Sequence, residues 1–259
     1  MDGATAYYPM YAAFVQAVYS EGSYEHFTGD GTVLTEHPRY AYHRLMTGDR
    51  DIIFAPAPTA AQQKRAEEAG LELKLTPVAK EAFVFYVPRG NRVSGLTEQE
   101  IRGIYGGGLA EWSDVGGRKE PIITYQRKTG SRSQQEMERI MDGTPFAHPP
   151  TEPVSEFSSG GIVRELAEYR NSRGAIGYSY RNTAQPLAEK GNVKLLEVDG
   201  IPPGTKEIQS GAYPYIQTIY AVTAGSDNPN TGKLIEWILS DERQRLVAQS
   251  GFTPIRQTD

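Results

Sequence analysis

Apolar residues recur at helical spacing from Tyr8 to Tyr19, with Tyr11, Ala12, Phe14, Val15 and Val18 forming one side, so the pattern predicts a helix fed by the Gly3 to Thr5 turn. Tyr40 to Met46 repeats the helical pattern. Asp51 to Ala55 is a short apolar run closed by Pro56 and Pro58, which suits a buried strand. Ala60 to Ala69 reads as a helix with one polar side. Leu71 to Thr76 alternates, and Glu81 to Val87 is the most strand-like run of the chain, rich in aromatic and β-branched residues.

Thr97 to Tyr105 carries a start signal, because Thr97 and Glu100 have the spacing of a capping box, and Gly106 to Gly108 ends it. A strand at Ile122 to Tyr125 precedes a helix at Ser133 to Met141, and Ser158 to Tyr169 is another helix opened by Ser159, Gly160 and Gly161. Ala175 to Ser179, Val193 to Val198 and Tyr215 to Thr223 read as strands, and Gly232 to Ser250 holds the closing helices. Strands alternating with helices predict an α/β protein with largely parallel sheets. The strong strands near Phe83 to Val87 and Ile216 to Val222 are placed to cross between two lobes, one formed by the middle of the chain and the other by both ends.

Composition narrows the chemistry. A chain of 259 residues can bury cores without staples, and its 38% hydrophobic content contains no apolar run near the roughly 20 residues that would span a bilayer. The formal charge of -5 argues against a nucleic-acid surface, so any anion must be held by a local field. There is no cysteine, and the histidines His26, His37, His43 and His148 lack the spacing of a helical zinc site, which leaves surface or capping roles for them. No metal and no cofactor is expected. The N-terminus opens abruptly at Met1 and Asp2, as though a leader had been removed.

The strongest chemical signal is the segment Arg127, Lys128, Thr129, Gly130, Ser131, Arg132, Ser133, which places a glycine, hydroxyls and two guanidinium groups just before a helix. The first N–H groups of a helix have no acceptor within it and carry partial positive charge, so a tetrahedral oxyanion can accept several bonds there. Arg127 adds a forked, permanent cation and Ser131 and Ser133 add hydroxyl donors; the bland alternative is a capped helix with solvated arginines. The turn ending in Thr5 and Ala6 repeats the logic with less charge. No Walker loop, dinucleotide fingerprint or nucleophile elbow is present, so no catalytic residue is expected.

A series of motifs in order then resembles a known family. These are Asp2 to Ala6 followed by Tyr8 to Phe14, Gly48 to Phe54, Glu81 to Val87, Ile101 to Tyr105 with Trp112 after it, Arg127 to Gln134, Gly174 to Ser179, and Gly251 to Ile255. Across almost the whole length the chain looks like the phosphate-binding proteins of bacterial Pst-type ABC importers, in their Gram-positive variety. The resemblance implies an α/β, two-lobed periplasmic-binding-protein type II fold with two crossover hinge strands that closes on its ligand. The expected lobes are 1–83 plus 219–259, and 84–218.

Carried over by position, the family's first binding turn falls on Thr5 and on Ala6, the latter through its N–H alone. Its arginine and Gly-Ser-Gly-Thr stretch fall on Arg127 and on Gly130, Ser131, Arg132 and Ser133, with Arg132 standing where the family has glycine. The serine opening the family's second helix maps nearest to Thr35. The family's acidic residue falls at Pro56, so a site made only of donors would take a fully ionised oxyanion as readily as a protonated one.

The resemblance implies a non-catalytic, monomeric solute-binding protein that captures a small inorganic oxyanion, phosphate foremost. It would hand this ligand to an ABC permease and sit on the cell surface through a lipid-anchored leader. Two other readings stay open: a ligand-sensing or adhesive module of a larger surface protein, and a phosphate-ester-processing enzyme, disfavoured because no nucleophile and base are paired.

Overall fold

The computed structural model describes residues 1–18, 34, 37–147 and 174–256, and its longest strand, Lys74–Pro88, contains the run that the sequence marks as most strand-like. This strand and Ile216–Thr223 are the two that continue from one unit of the chain into the other. One unit comprises residues 1–80 and 217–259; the other comprises residues 81–216.

In the first unit the short strand Asp2–Gly3 runs parallel to Ile53–Ala55, which pairs antiparallel with Ile216–Thr223 through Ile53 and Val222. Thr253–Pro254 pairs antiparallel with Lys80 and Ala79. Gly3 is required at its position, because a Cβ there would lie 2.7 Å from the Tyr11 ring and 2.9 Å from the Phe54 carbonyl oxygen. Tyr11 stacks on Phe54 at 5.7 Å beneath the turn that follows. The same strand is held from its polar side: the buried Asp2 accepts a 2.7 Å bond from Nε of Arg44, which sits in the helix Pro38–Met46. His37 caps that helix, its Nδ1 accepting from the Arg39 N–H, as the capping reading of the histidines expects.

In the second unit the Lys74–Pro88 strand pairs antiparallel with Ala175–Tyr180, placing Phe83 opposite Tyr180 and Phe85 opposite Tyr178. Val193–Leu195 also pairs antiparallel with Lys74–Pro88, at Tyr86 to Pro88. Ala175–Tyr180 runs parallel to Ile123–Thr124, and Gly95–Leu96 runs parallel to Glu197–Val198. Phe83, Phe85, Tyr105, Tyr178 and Tyr215 interlock as an aromatic core, with ring centroids 5.4 to 6.4 Å apart and mostly tilted or edge-on, the arrangement ring quadrupoles favour. Buried Trp112 donates from Nε1 to the Gly174 carbonyl, which keeps its polar tip satisfied.

Several expectations change in the structure. Pairing is mixed rather than largely parallel, since both long strands find antiparallel neighbours. The alternating Leu71 to Thr76 segment and the Glu81 to Val87 run belong to one strand from Lys74 onward, whereas Val193 to Val198 splits at Leu196, whose N–H donates to the Phe85 carbonyl as the chain passes from one sheet to the other. Helices at Arg181–Glu189 and Thr205–Ser210 were not expected; the first holds Pro186 in its interior, a residue that argues against a helix when read alone. The Thr97 and Glu100 capping box is formed, with the Glu98–Tyr105 helix ending at Gly106. The expected helix Ser158 to Tyr169 lies outside the described residues.

Candidate functional site

The segment Arg127 to Ser133 leaves the Ile123–Thr124 strand and enters the helix Arg132–Met141. Gly130 has φ of 83°, the left-handed conformation that glycine adopts without cost, and it turns the chain into the helix. Ser131 is the N-cap: its Oγ accepts a 3.3 Å bond from the Gln134 N–H. That bond uses a lone pair and leaves the hydroxyl proton to donate elsewhere. The N–H groups of Arg132 and Ser133 are the first of the helix and have no acceptor within it. Ser133 is buried at the second helical position.

Arg127 is buried, and its main chain is fixed by side chains of two other elements. Its N–H donates to Oε1 of Gln134 and to the Tyr178 hydroxyl, both at 3.0 Å, while the Tyr178 hydroxyl itself donates to Gln134 Oε1. Burial pushes the Tyr178 hydroxyl far above its ordinary range, so it stays a neutral donor. The Arg132 guanidinium lies over the Tyr180 ring at 4.7 Å, a cation–π contact that keeps it against the sheet. Arg127, Gly130, Ser131, Arg132 and Ser133 are thus brought together in one turn and one helix start.

Thr5 and Ala6 belong to the first unit, where they are exposed in the 3-10 turn Thr5–Tyr7 that leads into the helix Tyr8–Val18. Ala4, the N-cap, offers no side-chain cap; its own N–H donates to the Phe54 carbonyl at 2.9 Å. The Thr5 and Ala6 N–H groups therefore lead a helix start with no acceptor inside the helix. Thr35 lies outside the described residues. Pro56 offers no carboxylate, and its carbonyl accepts a 2.7 Å bond from the Tyr42 hydroxyl.

Sequence reasoning missed Gln134 and Tyr178, which hold Arg127, and also Glu81. The Glu81 side chain is buried; its Oε1 accepts from the N–H of Ala82 at 2.9 Å and of Asn182 at 3.3 Å. Its Oε2 has no hydrogen-bond partner among the described residues. Burial pushes its carboxyl up to about 7, against the two backbone bonds and the positive charges of Arg132 and Arg181, which favour the ionised form. The available signal was a carboxylate opening an otherwise apolar strand run.

The PBP superfamily domain matches residues 1–242, and the chain belongs to that superfamily. Among its relatives is the phosphate-binding protein PstS of Bacillus subtilis, 22% identical over 165 residues, which are 63% of this chain and 51% of that protein. The PstS of Borreliella burgdorferi is 24% identical over 199 residues, covering 73% of this chain and 69% of that one. The chain therefore spans about half the length of the Bacillus relative it matches. Among solved structures, an ABC-type phosphate transport receptor from Vibrio cholerae aligns with a TM-score of 0.72 over 97% of both chains at 17% identity, a likeness of fold.

Proposed function

We propose that this chain is a solute-binding protein that captures a small oxyanion, phosphate foremost, for an ABC importer, without making or breaking a covalent bond. The observation that carries the reading is Arg127: a buried guanidinium residue pinned through its main chain beside a serine-capped helix start. Burial lowers the effective dielectric, so a cation and aligned N–H dipoles act on an anion there more strongly than on a solvated surface. This explains how a chain of net charge -5 can hold an anion. Relatives named as phosphate-binding proteins support the choice of ligand.

In this reading Arg127, Gly130, Ser131, Arg132 and Ser133 hold the anion in the second unit, and Thr5 and Ala6 are candidate anion contacts of the first. The protein works as a monomer outside the cytoplasmic membrane, delivers to a permease, and is held at the cell surface by a lipid anchor. Among the described residues no helix is long and apolar enough to cross a membrane. Calorimetric titration of ligand-free protein with phosphate, sulfate, molybdate and a phosphonate tests the reading. Saturable one-to-one binding of phosphate supports it, and an absence of binding to all four anions overturns it.

A further inference from the structure

Glu81, the first residue of the second unit, lies on a strand whose alternate side chains share a face, so Glu81, Phe83 and Phe85 point the same way. Residues directly opposite in an antiparallel pair also share a face, which adds Tyr180 and Tyr178. Ring distances agree: 5.6 Å between Phe83 and Tyr180, and 6.4 Å between Phe85 and Tyr178. Arg132 covers Tyr180 and the Arg127 N–H reaches Tyr178, so the face that carries Glu81 is the one on which the Arg127 to Ser133 segment rests.

The two oxygens of Glu81 do different things. Oε1 takes the Asn182 N–H and so caps the helix Arg181–Glu189, a role that a glutamine oxygen fills equally well. Oε2 is buried, and a cap does not need it. We propose that Glu81 is a specificity-determining residue of the anion loop: its carboxylate competes with the incoming anion for Arg132, so the loop takes anions better once Glu81 carries a proton. This rests on the oxyanion reading of the Arg127 to Ser133 segment.

Among the described residues, the groups facing Glu81 are few. Its own strand offers the Ala82 N–H, the helix Arg181–Glu189 offers Arg181 and the Asn182 N–H, the helix Arg132–Met141 offers Arg132, and the strand Ala175–Tyr180 offers the uncharged Tyr180 ring. With burial holding the carboxyl near 7, the exchange of partners falls in the neutral pH range.

The test compares phosphate affinity of the wild type and Glu81→Gln by calorimetry from pH 5.5 to 8.5. Phosphate changes its own charge in this range, but that change is common to both proteins and cancels in the ratio of their affinities. The two proteins should bind alike at pH 5.5, and Glu81→Gln should bind at least about fivefold more tightly at pH 8.5, the lower end of ordinary coupling between sites. A ratio constant with pH, or weaker binding by Glu81→Gln at pH 8.5, overturns the proposal.

Carbon-13 titration of the Glu81 carboxyl in the wild type needs no variant to fold. Because linkage is reciprocal, saturating phosphate must raise its midpoint, and an unmoved midpoint overturns the proposal. A wild type that binds phosphate with a flat ratio removes the role of Glu81 alone. Failure of both proteins to bind phosphate, sulfate, molybdate or a phosphonate at any pH removes the oxyanion reading and this proposal with it.

Discussion

The two candidate turns open helices by the same local device and differ in almost everything around it. The Ala4 to Ala6 turn is exposed at Thr5 and Ala6, uncharged and without a side-chain cap, and it is fixed by buried Ala4 and by Gly3 against Tyr11 and Phe54. The Arg127 to Ser133 turn is buried at its two ends, Arg127 and Ser133, and exposed from Lys128 to Gly130; it carries two guanidinium groups and is tied by Ser131, Gln134 and Tyr178. Both present N–H groups that a helix cannot satisfy internally, and the second adds charge, with the Arg127 cation buried where charge acts more strongly. A helix start alone is therefore a weak discriminator; what surrounds it decides how much binding energy it can deliver.

Removing the aromatic floor of the second turn should have the largest effect. Phe83→Ala should cost about 3–5 kcal/mol of stability, the usual range for truncating a buried aromatic, measured by urea unfolding. A cost under about 1 kcal/mol would mean that the aromatic cluster of Phe83, Tyr178 and Tyr180 contributes little to holding this unit together.

Next in size is the pH dependence that Glu81 imposes. Its folded-state value of about 7 stands above its ordinary 4.5, so the native chain keeps this proton when the unfolded chain has lost it. The stability contributed is complete below about pH 4.5 and is lost as pH rises through about 7, an effect on the order of 3 kcal/mol. Urea midpoints should fall across that window, and Glu81→Gln should remove this part of the slope; an equal slope in both proteins would show that other groups set it.

Arg127→Ala should weaken phosphate binding by more than tenfold, corresponding to about 1.5–3 kcal/mol for a charged hydrogen bond. Thr5→Ala removes a hydroxyl and leaves the N–H, so its cost should stay near 1 kcal/mol, about fivefold in affinity. Equal losses from the two substitutions, read by calorimetry, would erase the contrast between the turns.

Much of this was legible in the sequence because periodicity reports burial. The helix from Tyr8, the Thr97 capping box and the strand through Phe83 and Phe85 were visible as patterns, and the Arg127 to Ser133 segment announced itself through glycine, hydroxyl and guanidinium groups in one short stretch. Pairing direction was not legible, since alternation along a strand says which face is buried and nothing about which neighbour runs beside it. Pro186 hid a helix that tertiary contacts sustain around Ala184. Glu81 was hidden for a different reason: a carboxylate at the edge of an apolar run looks solvated until the strand from Arg181 backwards is folded over it.

The strand pairing between Ile53 and Val222 has a further consequence for how the chain is made. Residues 81–216 are one uninterrupted stretch, so a ribosome releases that unit whole, whereas the other unit must wait for its last segment to emerge. During synthesis the early N-terminal strands stand without their closing partner, and that interval is when a chaperone would have most to shield.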